Sequence, residues 1–487
     1  MRRIKTGRGS ACLAVLAMAG CSLAPKYVPP SLTTPIAYNG MGPWTPASPA
    51  DTAPRGDWWR VYGDATLNGL EQQIETGNPD LAISLSRYDE ARQFANQAEA
   101  DQYPQVAIDG SAMQTRQSDE RPLRQNVGPD VYADDLLQGS ISYELDLWGR
   151  VRNEVAAGKA ETQASAADTA SVRLSLEAQL ADAYFSLRGL DAQEELFEET
   201  TAAYKRALDL TEDQHAGGIV SGLDVGRAQT QYDSTTAQLS DVIAQRALVE
   251  HEIASLVGVP APSFSLPPDA TLPPPPQIPV AEPSVLLQRR PDISAAERRA
   301  AEANAQIGVA RAAFFPTISL DASGGYQDAG GGVNLFNVSN SLWSLGPSLA
   351  LTVFDGGRRR AAVKIALDQF DQASDSYRST VLTAFQQVED NLVLCNDLAG
   401  EASEQADAVA AADHTADLSM TLYQEGAVTY LDVVTAQTAD LQAQQTALTI
   451  ATRRLQASVD LVRALGGGWN PAIGAGVVAA ARGDHPS

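Results

Sequence analysis

The chain is 487 residues long, and 60 acidic against 35 basic side chains leave a formal charge of −25. That balance argues against a nucleic-acid partner, which would favour a basic face. Three cysteines and four scattered histidines build neither a disulfide framework nor a Cys-based metal site. His251-Glu252 lacks the second histidine of a zinc-protease helix, and neither a Gly-rich phosphate loop nor a nucleophile elbow occurs, so no catalytic residue is assigned.

Residues 1–20 read as an export signal: Arg2, Arg3, Lys5 and Arg8 precede a short apolar run from Ala11 to Ala19. Met18-Ala19-Gly20-Cys21 resembles a lipobox, which makes Cys21 the expected lipidation site and that covalent lipid the only cofactor expected. The alternative is ordinary cleavage at the small-x-small site Ala17-Met18-Ala19. One acyl anchor holds a protein only marginally, so a second membrane attachment is expected. No later apolar run suffices for a transmembrane helix, so any crossing must be a β-barrel.

Residues 21–57 form a Pro-rich arm, and a first repeat follows over 58–258. A Pro-rich linker over 259–283, a second repeat over 284–466 and a Gly/Ala-rich tail over 467–487 complete the chain. The two repeats answer each other residue by residue. At an offset of 208, Gly149-Arg150 matches Gly357-Arg358, Gly218 matches Gly426, Leu223-Asp224-Val225 matches Leu431-Asp432-Val433, and Gly258 matches Gly466. Upstream the offset is 212, as in Pro79-Asp80 with Pro291-Asp292 and Pro104 with Pro316, so a four-residue slip lies between Pro104 and Gly149. A repeat this long predicts one architecture built twice.

Within each repeat, two segments alternate between apolar and polar residues. Strands are expected near 104–114 and 137–148, then near 316–327 and 342–354. Pro347 is the one residue ill suited to a ladder. Four strands cannot close around a pore, whereas three chains contributing four each can. The polar faces hold Asp109, Glu144, Asp146 and Asp321, which point to a lumen that prefers cations, or to plain solvation of its wall. Long helices follow, from Gly149 to about Gly217 and from Gly357 to Gly426, each proline-free and on the order of 100 Å long. Glycine ends each helix at Gly218-Ile219-Val220-Ser221 and Gly426-Ala427-Val428-Thr429, and Ser221-x-x-Asp224 and Thr429-x-x-Asp432 fit capping boxes.

Several markers now stand in order along residues 58 to 466. They are Trp58-Trp59, Tyr62, Asp64, Leu67, Leu70 and Asn78-Pro79-Asp80-Leu81, then Arg289-Arg290-Pro291-Asp292-Ile293 and Phe315-Pro316. Phe354-Asp355-Gly356-Gly357-Arg358 and the run from Gly426 to Gln437 complete the set. In these the chain resembles the outer membrane factor family, the TolC-like, NodT-type outer-membrane efflux lipoproteins. The resemblance implies a mainly α fold with a membrane β-barrel: a homotrimer, a twelve-stranded outer-membrane barrel and a long periplasmic α-helical barrel. It implies the outer-membrane channel subunit of a tripartite efflux system, with a periplasmic adaptor and an inner-membrane pump as partners. The two glycine turns become adaptor-contact tips. Asp432 becomes a gate candidate facing the axis, Leu431 an apolar constriction, and Tyr423 a link that holds the closed state. Val428 and Thr435 depart from charged residues used by some relatives, which argues against an ion-pair lock. The rival is a periplasmic lipid-anchored coiled-coil scaffold or adaptor without a pore.

Overall fold

The structure is a computed structural model, and it describes residues 22–31, 38, 56–118, 120, 130–276, 278, 289–331 and 334–467. Cys21, the export signal and the tail beyond 467 lie outside the described residues. A short 3-10 helix, Trp58–Tyr62, leads into α1 (Ala65–Gly77) and α2 (Pro79–Ala100). Strands β1 (Gln105–Arg116) and β2 (Val131–Glu144) follow, then the long α3 (Arg150–Ala216) and α4 (Gly222–Leu256). The second half runs α5 (Pro291–Ala312), β3 (Thr317–Asp328), β4 (Ser341–Ala350), α6 (Arg358–Gln424) and α7 (Tyr430–Ala464). Among the described residues, no helix is long and apolar enough to cross a membrane.

Among the paired helices the duplication holds to the residue. Helices α2 and α5 each have 22 residues, α3 and α6 each have 67, and α4 and α7 each have 35. Strands β1 and β3 have 12 each and keep the 212 offset, so the slip falls between Arg116 and Arg150.

The chain forms two compact units. One gathers the stretches up to residue 31, 88–165 and 296–377 and contains the sheet. Its four strands are antiparallel in the order β1-β2-β3-β4. The registers Val106↔Ile141, Ile141↔Ala322 and Ala322↔Leu345 carry one apolar face across every strand. One residue along, Ala107↔Ser140, Ser140↔Ser323 and Ser323↔Ser344 carry the opposite face as a ladder of small and hydroxyl side chains. The apolar face is bare: Val106 and Ile108 are 71% and 78% exposed, and Leu345 is 68% exposed. Pro347 sits opposite Leu320 in β4, an edge strand of the chain, where a missing donor is tolerated. Three strand ends differ from expectation by four residues or more. β2 starts at Val131 and stops at Glu144, and β4 stops at Ala350; the alternation continues past them through Leu145, Leu147, Leu351 and Val353, of which Leu145 still donates its N–H to the Ile318 carbonyl at 2.8 Å.

The other unit gathers 32–87, 166–295 and 378–487. Its main core joins Trp58, Trp59, Tyr62, Leu67 and Ile74 to Tyr184, Phe185, Leu187 and Ile253. Tyr62 lies 4.8 Å from the Phe185 ring and 5.9 Å separates the two indoles. Each fully buried ring stabilises by roughly 2–3 kcal/mol. Asp64 caps α1 by accepting from the Leu67 N–H at 2.9 Å, and Tyr184 donates to its other oxygen at 2.5 Å. Asn78 caps α2 through the Asp80 and Leu81 N–H groups and donates to the Leu256 carbonyl at 2.7 Å. In the second half Arg290 donates to the Ala464 carbonyl at 3.1 Å. Leu256 and Ala464 are the last residues of α4 and α7, so the same helix end is closed by an amide in one copy and a guanidinium in the other. The sequence markers of the N-terminal region are therefore helix caps and core.

Candidate functional site: two hairpin turns and a polar sheet face

Both long helices end in one geometry. Gly218 (φ 75°) donates to the His215 carbonyl at 2.8 Å and Ile219 to that of Gln214 at 2.9 Å. Gly426 (φ 76°) donates to the Tyr423 carbonyl and Ala427 to that of Leu422, each at 2.9 Å. Glycine is needed because the left-handed conformation clashes with a Cβ, and the bonds satisfy the last carbonyls of the helix.

The caps then diverge. Thr429 precedes α7, and its N–H and hydroxyl both donate to Asp432 Oδ2, at 2.9 and 2.7 Å. Those two donors hold the Asp432 carboxyl below its usual range while leaving it in solvent. At the first turn Ser221 makes no side-chain bond to the helix backbone, which departs from the expected capping box. Its hydroxyl donates instead to Asp224 Oδ2 at 2.8 Å, and Arg227 pairs with Asp224 at 3.2 Å. The position of Arg227 is held by Thr435 in the second copy, so only Asp224 has an arginine one turn away.

The gate candidates do not form one cluster. Tyr423 is buried, packs edge-on to Tyr430 at 5.2 Å, and donates to Gln214 Oε1 at 2.8 Å. It thereby ties the end of α6 to the end of α3 in the same chain. Val428 packs on this cluster, together with Val433 and Leu208. Leu431 is 47% exposed and, like Asp432, points away from it. Ile219 and Leu223 are 76% and 63% exposed at the first turn. Beside that turn runs a groove of about 510 Å³ lined by Gly222, Gly226, Thr230, Ser234, Tyr204 and Val434. Sequence reading missed this groove. Its signal was available: four small residues spaced by four leave one face of α4 open.

The four expected lumen acids also separate. Asp109 and Asp321 lie on the polar sheet face, where Asp321 accepts from Ser142 and Ser348, each at 2.7 Å. Glu144 and Asp146 do not serve as free wall charges. Glu144 is bound by Arg150 at 2.7 Å, and Asp146, beyond the strand, accepts from the Arg152 N–H at 2.9 Å and its side chain at 3.1 Å. Both belong to the joint that turns β2 into α3.

Known proteins match this arrangement along nearly its whole length. The cation efflux system protein CusC of Escherichia coli K12 is 30% identical over 467 residues, covering 94% of this chain and 98% of that one. The toluene efflux pump outer membrane protein TtgC of Pseudomonas putida is 31% identical over 459 residues, covering 93% of each. A solved membrane protein from Pseudomonas aeruginosa superposes with a TM-score of 0.83 at 30% identity, covering 92% of this chain and 98% of that one. The description "Outer membrane efflux protein" matches twice in tandem, at residues 70–259 and 283–467. Those two spans coincide with the structural repeats, and the chain belongs to the outer membrane efflux protein family.

Proposed function

We propose that three copies of this chain close one channel and that its two hairpin turns meet a periplasmic adaptor fed by an inner-membrane pump. The chain is an outer-membrane channel component of an efflux system, with the duplicated TolC-like fold of its family. The observation that carries the trimer is the open-edged sheet. Its apolar face runs unbroken over four strands, and β1 and β4 are left as edges within one chain. Exposed edges and a bare apolar face are costly in water, and closure with two further copies in lipid removes both. The Cys21→Ser chain tests this. It should still require detergent, sediment as a trimer and give discrete conductance steps; a soluble single chain would leave the pore-free scaffold.

The exposed Ile219 and Leu223 and the neighbouring groove support adaptor docking at the first turn, and Gly426 to Thr429 offer the second contact. Cys21 carries the lipid. Asp432 and Leu431 form the gate, with Tyr423 bracing α6 behind them. Asp432 is also a helix cap, so the informative variants come as a pair. Asp432→Asn retains an acceptor for the cap and removes the charge, whereas Asp432→Ala removes both. Raised resting conductance in both marks a charge gate; a rise in the alanine variant alone marks a frayed helix start. Of the wall acids, Asp109 and Asp321 carry the cation preference, and a reversal potential near zero under a salt gradient would remove it. The cargo is what the pump delivers.

A further inference from the structure

The two joints where a strand becomes a long helix keep the same arginines and lose their partners. In the first joint Arg150 is clamped between Glu144 at 2.7 Å and Glu154 at 2.8 Å, and Arg152 pairs with Asp146 at 3.1 Å. At the 208-residue offset Arg358 and Arg360 replace these arginines, but Thr352 stands for Glu144, Phe354 for Asp146 and Ala362 for Glu154. All three acids are gone and both cations remain. The acid nearest them in sequence, Asp355, is taken up by the Arg359 side chain at 2.6 Å. Among the described residues Arg358 and Arg360 are exposed with no side-chain partner. In a chain with 60 acidic residues, two cations left unpaired in this way point to an anion supplied from outside.

The residues just before them indicate which anion. Leu349, Leu351 and Val353 prolong the apolar face of β4, and Val353 and Phe354 are each 88% exposed. An apolar ridge thus ends four residues before Arg358 and six before Arg360, on the helix side of the sheet. We infer that this joint binds an anionic phospholipid of the periplasmic leaflet, with Val353 and Phe354 among its acyl chains and Arg358 and Arg360 on its phosphate. The guanidinium fork matches phosphate oxygens two at a time, and aromatic and basic side chains together mark the membrane interface. The first joint, neutralised from within, has no such need. This assignment rests on the sheet lying in the outer membrane.

The test uses the full lipidated trimer in phosphatidylcholine nanodiscs, with and without phosphatidylglycerol, read by native mass spectrometry and thermal unfolding. The wild type should retain phosphatidylglycerol selectively and melt several degrees higher in its presence. Arg358→Gln with Arg360→Gln should weaken that retention by about thirtyfold and abolish the thermal shift. Thr352→Glu with Ala362→Glu, which rebuilds the acids of the first joint, should do the same while leaving both arginines in place. Equal retention of the two lipids by the wild type would overturn the site. So would a double glutamine variant that still prefers phosphatidylglycerol but falls apart in lipid-free detergent, because the anion would then be a carboxylate of the neighbouring copy. A wild type that never enters a bilayer would sink the barrel itself, and with it the site.

Discussion

The two halves share the lengths of three helix pairs, α2 with α5, α3 with α6 and α4 with α7, but not the partners of their charged side chains. Backbone features recur at fixed offsets: Gly218 and Gly426 end the long helices, and Asn78 and Arg290 close α4 and α7. Around those fixed points the side chains have changed. An arginine pairs with Asp224 but not with Asp432, and acids neutralise the arginines of the first joint but not those of the second. Tyr423 and Tyr430 pack edge to face where the first copy has His215 and Gly222. Helix length and turn geometry are shared constraints of a wall built twice from one plan. The surface chemistry is free to diverge, so each copy can face a different neighbour.

That comparison breaks most sharply at the close backbone contacts. A Cβ on Gly258 would stand 1.9 Å from the Gly77 carbonyl oxygen, whereas one on Gly466 would meet Arg289 at 3.1 Å. Gly258→Ala should therefore cost about 3 kcal/mol or more and leave little folded trimer. Gly466→Ala should cost visibly less, and Gly218→Ala, with open space around it, only about 1 kcal/mol. Melting temperatures that rank otherwise would mean that the backbone at Gly77 yields to the added methyl group.

The helix-end closures come next. Arg290 also pairs with Asp292 at 2.7 Å and is buried, so Arg290→Ala should cost about 3 kcal/mol in denaturant unfolding. Asn78→Ala loses a cap and a bond to Leu256, worth about 2 kcal/mol. Equal losses would show that charge adds nothing to the second closure.

A third test concerns an acid that only the first half has, since Pro283 takes the place of Glu71 in the second. Glu71 is 1% exposed, and neither carboxyl oxygen finds a hydrogen bond among the described residues. Burial, aided by the nearby Glu177 charge, pushes it up to about 10. Glu177 rises to about 8 through burial, against the Trp58 indole that donates to it at 3.0 Å. A carboxyl whose folded pKa exceeds its unfolded value binds its proton more tightly in the native state. Its contribution is intact in acid and is lost as pH rises toward the folded value. Stability should fall by on the order of 1 kcal/mol per pH unit between about pH 6 and 9 on account of Glu71. Glu71→Gln should flatten that slope while changing little in mild acid. An unchanged slope would place the titrating group elsewhere.

The smallest effect is expected at the turns. Thr429→Ala removes the hydroxyl that donates to Asp432 and should cost about 1 kcal/mol. Ser221→Ala should cost less, because its hydroxyl meets a carboxylate already held by Arg227. Hydrogen exchange at the first turns of α4 and α7 would resolve the two.

Much of this was written in local pattern. Period-two alternation, proline-free runs and glycine spacing are one-dimensional signals, so the strands, the long helices, the turns and the duplication were legible without coordinates. The alternation could not say where a strand stops. It continues through Leu145, Leu147, Leu351 and Val353, and it could not show that Glu144 and Asp146 clamp Arg150 and Arg152. Tyr423 read as a link that holds the closed state, but local pattern could not name its partner, Gln214, 209 residues away along the chain. The sequence by itself determined the elements and their repetition, because those depend on residues a few positions apart. Which charges are neutralised, which helix ends are closed and which arginines are left waiting for an anion depend on groups that meet only when distant segments pack. Those were decided by the tertiary structure.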